Sequence, residues 1–138
     1  MTVPHDHQKN RLLDGLPKEE YERLFPYLEL ILVPTGEALY ESGDSLRYIY
    51  FPTTCIVSLL YEMENGGSTE IAVVGNDGII GIALFMGGGS MPNRAIVQST
   101  GYAYRIRQQH FMQEFNRHGL REFRRGAPAA ILLVKTID

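Results

Sequence analysis

Between Glu29 and Arg107 the sequence breaks into short apolar runs separated by turn residues, and this punctuation constrains the fold more than any other feature. Leu30–Val33 ends at Pro34-Thr35-Gly36, Ala38–Tyr40 at Ser42-Gly43-Asp44, and Tyr48–Phe51 at Pro52. Cys55–Met63 leads into Asn65-Gly66-Gly67 and then Ser68–Val74. Asn-Gly between two β-type runs is a strong hairpin signal, because both residues tolerate the positive φ that a tight turn needs. Ser68–Val74 is therefore expected to pair with Cys55–Met63. After the turn Gly75-Asn76-Asp77-Gly78, the apolar run Ile79–Met86 is expected to hold a strand end and a helical turn, and Gly87–Ser90 reads as a connector. Ala95–Gln98 and Ala103–Arg107 read as the last strands, broken at Ser99-Thr100-Gly101. Eight short runs so punctuated predict an antiparallel β-roll or jelly roll.

Helical periods flank this region, so the fold class is mainly β with flanking helices. Asn10 is expected to cap a short helix that places Leu12, Leu13 and Leu16 on one side. Pro17 fits a first helical turn, and Tyr21, Leu24, Phe25 and Leu28 then recur at helical spacing, with Pro26 stopping or bending the helix. After the roll, Gln108–Arg117 returns to helical spacing with Phe111, Met112 and Phe115 on one side, while Gly126 and Pro128 interrupt any long continuation. At 138 residues the chain is one domain by length. Residues 1–9 read as a polar leader, 10–118 as the roll with its N-terminal helices, and 119–138 as a truncated or irregular C-terminal segment.

Several function classes fall away on composition. A net charge of −3 gives no overall field for gripping nucleic acid, and Arg117, Arg121, Arg124, Arg125 and Lys135 read as a solvated face. No apolar run approaches the ~20 residues of a membrane span, and the N-terminus carries no apolar signal core, so a cytoplasmic protein without a membrane partner is expected. Cys55 is the sole cysteine and sits in an apolar run, where it acts as a small hydrophobe rather than a nucleophile. A jelly-roll metal enzyme needs histidines on neighbouring strands; His5 and His7 lie in the leader, and His110 and His118 in the late helix. No metal site and no enzymatic activity are therefore expected. Tyrosines 40, 48, 50, 61, 102 and 104 concentrate in strands, mostly as packing.

The string Pro34-Thr35-Gly36-Glu37-Ala38-Leu39-Tyr40-Glu41-Ser42-Gly43-Asp44, followed by Tyr48–Phe51 and Cys55–Leu60, resembles the opening of a cyclic-nucleotide-binding domain. Cys55 stands where that family usually has Gly, which predicts a tighter or more strained turn there. Gly78–Val97 occupies the place of the family's phosphate-binding cassette. By resemblance, Gly81 matches the cassette Gly, Ile82 and Ala83 follow it, and Arg94 matches the Arg that holds the cyclic phosphate. By the same resemblance Ile82 stands where the family's Glu holds the ribose hydroxyl, and Ala95, at the small-or-hydroxyl position after the Arg, brings no hydroxyl. Arg94 equally fits a surface arginine at the start of a strand, paired with a carboxylate.

The resemblance is to the sensory halves of Crp/Fnr-type bacterial transcription regulators and implies a ligand-sensing regulatory domain with a degenerate cyclic-nucleotide pocket. No tightly held cofactor is implied; the ligand class is a cyclic nucleotide or another small anion. A small-molecule effector and a homodimer are the partners in view. The chain has no room for a DNA-binding domain, so no DNA binding by this chain alone is expected. The rival reading is a structural or dimerisation module that has lost ligand binding.

Overall fold

The computed structural model describes residues 9–45, 47–81 and 93–113. Among them, two short helices, α1 (Arg11–Asp14) and α2 (Lys18–Leu24), lead through a 3-10 turn at Phe25–Tyr27 into seven strands. The strands are β1 (Glu29–Val33), β2 (Ala38–Tyr40), β3 (Tyr48–Pro52), β4 (Ile56–Glu62), β5 (Ser68–Val74), β6 (Arg94–Ser99) and β7 (Gly101–Arg107). They form two antiparallel sheets, in the orders β1-β7-β3 and β2-β6-β4-β5. An isolated bridge joins Tyr50 to Ile80. Of the sixth of the eight expected runs, Ile79–Met86, residues 82–86 fall outside the described residues. A helical segment follows β7 at 108–113.

The expected hairpin forms as read. β4 and β5 pair in register from Val57–Val74 to Glu62–Ser68, with a bulge between Leu59 and Leu60. Gly66 closes the turn at φ 89°, its N–H donating to the Met63 carbonyl at 3.0 Å. An L side chain there would meet the left-handed backbone penalty that Gly avoids.

Burial follows cross-strand pairing, since directly opposite residues share a face. Val57 and Val97 are paired and buried, as are Leu59 and Ala95. Ile49 and Ile106, and Phe51 and Tyr104, are likewise paired and buried in the three-stranded sheet. Phe51 meets Phe111 of the last helical segment, with ring centroids 6.1 Å apart. All but the first residue of β3 are buried, which is why it reads as a continuous apolar run rather than an alternating one.

Asn10 does more than cap. Its Oδ1 accepts from the Leu12 and Leu13 N–H groups at 3.0 and 3.3 Å, and its Nδ2 donates to the carbonyls of Pro52 (2.7 Å) and Gly78 (3.0 Å). The fully buried amide thus ties α1 to the end of β3 and to the turn after β5. The expected apolar face of α2 holds for Leu24, which is buried, but not for Phe25, which is 53% exposed. The helix gives way to the 3-10 turn at Phe25, where Pro26 follows, so Phe25 no longer continues the face that carries Leu24.

Candidate ligand site

Arg94 opens β6, and register decides its surroundings. It sits opposite Leu60 of β4, while the next residue, Ala95, sits opposite both Leu59 and Tyr40. β6 is therefore flanked by β2 on one side and β4 on the other, and each flank brings a carboxylate to the guanidinium. The Arg94 Nε lies 2.8 Å from the Glu41 Oε1, and Nη2 donates to the Glu41 Oε2 at 3.1 Å. Glu62 follows at 3.9 Å. Glu41 is set by its turn: its N–H donates to the Asp44 Oδ2 at 2.9 Å, and Gly43 takes φ 89°. The Arg94 side chain is 30% exposed and that of Glu41 48%, so the pair adds at most about 1 kcal/mol to stability.

Of the other cassette residues named from sequence, Gly81 has φ 105°, a backbone that favours glycine. Ala95 is fully buried, its methyl on the same sheet face as Leu59. Ile82 and Ala83, with most of the expected helical turn at Gly81–Phe85 and all of Gly87–Ser90, lie outside the described residues. Immediately before Arg94, sequence reasoning missed Asn93. It is buried, and its Oδ1 accepts from the Tyr40 hydroxyl at 2.8 Å. Its only sequence signal was its place beside Arg94.

Cys55 is fully buried and takes no left-handed backbone, so the expected strain at the family's Gly position is absent. The glycine this corner requires is across the sheets. Gly101 packs so closely that a Cβ there would stand 2.4 Å from the Cys55 nitrogen and 2.5 Å from the Thr54 carbonyl carbon. The N–H groups of Thr53, Thr54 and Cys55 all converge on the Tyr102 carbonyl at 3.0–3.2 Å. Burial pushes the Cys55 thiol up to about 11. The thiolate is the reactive form, so the native protein will react with a disulfide reagent at pH 8 at least about a hundredfold more slowly than the denatured chain. Equal rates would contradict this burial. The folded state also keeps a proton that the unfolded thiol, with an ordinary value of 9.0, gives up. Stability therefore falls as pH rises from about 9 to about 11, and Cys55→Ala should flatten part of that decline. Burial raises Tyr50 and Tyr104 in the same direction.

A second charged group was not anticipated. Glu29, Arg105 and Tyr50 are direct cross-strand neighbours over β1, β7 and β3, and Arg107 with Tyr48 forms the next row on that face. The Arg105 Nε meets the Glu29 Oε1 at 2.5 Å, and its guanidinium lies 4.3 Å from the centre of the Tyr48 ring. Period-2 alternation of Tyr and Arg in β7 marks a strand, but it does not reveal what the arginines face. Among the described residues, no group of three or more His, Cys, Asp or Glu side chains is placed to hold a metal. No described helix is long and apolar enough to cross a membrane.

Comparison with solved structures identifies the same two-sheet roll. The chain matches the Thermus thermophilus catabolite activator protein with a TM-score of 0.71 at 20% identity, over 93% of this chain and 58% of that one. It matches the N-terminal domain of a transcriptional regulator from Streptomyces coelicolor A3(2) with a TM-score of 0.66 at 19% identity, over 94% and 91% of the two chains. A regulatory subunit of a cAMP-independent protein kinase A from Trypanosoma brucei, bound to cAMP in its A site as a triple mutant, matches with a TM-score of 0.71 at 14% identity, over 80% of this chain. This chain spans about two fifths of that subunit, 41% of its length. No curated protein matches by sequence. The family model for the cyclic nucleotide-binding domain matches residues 30–118, which contain β2 to β7 and all of β1 except Glu29. The chain belongs to the cyclic nucleotide-binding domain family.

Proposed function

We propose that this domain is an effector-sensing module of a Crp/Fnr-like regulator whose cyclic-nucleotide pocket is altered. The observation that carries the reading is the ion pair at Arg94: the arginine at the cassette position already donates through Nη2 to Glu41, whose other oxygen lies 2.8 Å from Nε, with Glu62 close by. One cation against two carboxylates leaves a local excess of negative charge, which disfavours an incoming phosphate. Ala95 brings no hydroxyl to that position and is buried in the core. Ile82, at the position of the ribose-binding Glu, accepts no hydrogen bond.

Sensing then works by population shift: an effector that prefers one arrangement of the roll and the following helical segment moves that equilibrium. Catalysis and DNA binding by this chain alone form no part of the proposal. The reading is tested by a thermal-shift screen with cyclic AMP, cyclic GMP, other small organic anions and divalent metals. Stabilisation by a non-cyclic anion, with none by the cyclic nucleotides or metals, is expected; stabilisation by a metal alone would contradict it. The alternative, a structural or dimerisation module, draws support from the edge strand β5, which exposes Ile71 and Val73. It predicts self-association with no stabilisation by any compound in the screen.

A further inference from the structure

We propose that the charged end of the three-stranded sheet is a second binding site, separate from Arg94, for a small molecule carrying an anionic group on a flat ring. An open groove of about 430 Å³ lies where β1, β3 and β7 meet the 3-10 turn and the last helical segment. That volume is within the range of small-molecule sites. Its lining includes Tyr27, Glu29, Tyr48, Arg105, Arg107 and His110.

The groove offers both features that such a ligand needs. Its aromatic surfaces are two. The Tyr27 and His110 rings stack at 4.2 Å between centroids and 16° between planes, and Tyr48 carries the guanidiniums of Arg105 and Arg107 at 4.3 and 5.8 Å. A flat ring extends such stacks at low conformational cost, and guanidinium groups strengthen them. The charges do not cancel. Two guanidiniums face the single carboxylate of Glu29, which Arg105 takes, and among the described residues no carboxylate pairs with Arg107. An anionic group can therefore dock on Arg107 without displacing an internal ion pair, unlike at Arg94.

A ligand seated there would touch His110 and Tyr48 together and so bind the start of the last helical segment to β3. The test is a titration of the whole chain with phenyl phosphate, inorganic phosphate and phenol, followed by amide shifts in two-dimensional NMR. Phenyl phosphate should bind at about 1 mM or tighter. It should bind about tenfold more tightly than either fragment, with shifts centred on Tyr27, Tyr48, Arg107 and His110. Arg107→Gln should weaken it about tenfold while leaving the spectrum of the folded protein intact. His110→Ala should weaken it through loss of the stacked wall, with inorganic phosphate binding unchanged. Binding that survives Arg107→Gln, shifts centred on Arg94, or no binding by phenyl phosphate would each overturn the proposal.

Discussion

Gly101→Ala will lower the melting temperature of this domain by about 10–15 °C, corresponding to about 3 kcal/mol. The cause is local and steric. The added Cβ would stand within 2.4–2.7 Å of three backbone atoms of Thr54 and Cys55, and backbone cannot swing aside as a flexible side chain does. β7 must retreat, which loosens the convergence of three N–H groups on the Tyr102 carbonyl and the pairing of β7 with both β1 and β3. Gly67 supplies the control, because a Cβ there meets only the Asn65 side-chain oxygen, at 3.2 Å. Gly67→Ala should cost less than about 1 kcal/mol. Thermal unfolding followed by circular dichroism reads both variants, and equal effects would refute the close-approach argument.

Asn10→Ala should destabilise the fold by about 3 kcal/mol. Loss of the cap accounts for about 1 kcal/mol of that. The remainder comes from leaving the Pro52 and Gly78 carbonyls without their buried donor, at about 1 kcal/mol or more each. Asn10→Asp separates the two contributions. It keeps an oxygen for the Leu12 and Leu13 N–H groups but sets a carboxylate against two carbonyl oxygens. If capping alone mattered, the Asp variant would match the parent protein. The account predicts that it is at least as unstable as Asn10→Ala in urea unfolding.

What the sequence reveals here is what neighbouring residues determine. β2 and β5 have the limits read from sequence because turn residues bracket them, and Asn65-Gly66 specifies a hairpin within one stretch of chain. The end of α2 shows the limit of periodicity: Phe25 keeps helical spacing yet faces solvent, because the 3-10 turn changes the rotation per residue. β7 begins earlier than its hydrophobic pattern suggests. Ser99-Thr100-Gly101 reads as a break in sequence, although the missing side chain of Gly101 is what lets the strand run past Cys55. Pairing across long separations leaves no local trace. Arg94 and Glu41 are 53 residues apart, and Arg105 and Glu29 are 76 apart. Sequence could therefore nominate Arg94 and its two readings, but not the carboxylates that β2 and β4 bring to it. The long-range partners of Asn10, at Pro52 and Gly78, and those of Asn93 and Arg105 are hidden for the same reason.

Calorimetric titration of the chain with cyclic AMP and cyclic GMP tests the proposed alteration of the pocket most directly. On the proposed alignment Ile82 stands in place of the ribose-binding carboxylate, and a ribose hydroxyl buried without that partner would cost on the order of 1–3 kcal/mol, or about tenfold to hundredfold in affinity. The internal pairing of Arg94 with Glu41 adds to that loss, since the phosphate must compete with a carboxylate already in place. Each cyclic nucleotide should bind more weakly than about 100 μM or not at all. Glu41→Gln should improve whatever phosphate binding remains. Low-micromolar binding of either nucleotide to the unmodified chain, abolished by Arg94→Ala, would show that the pocket is intact and contradict this account.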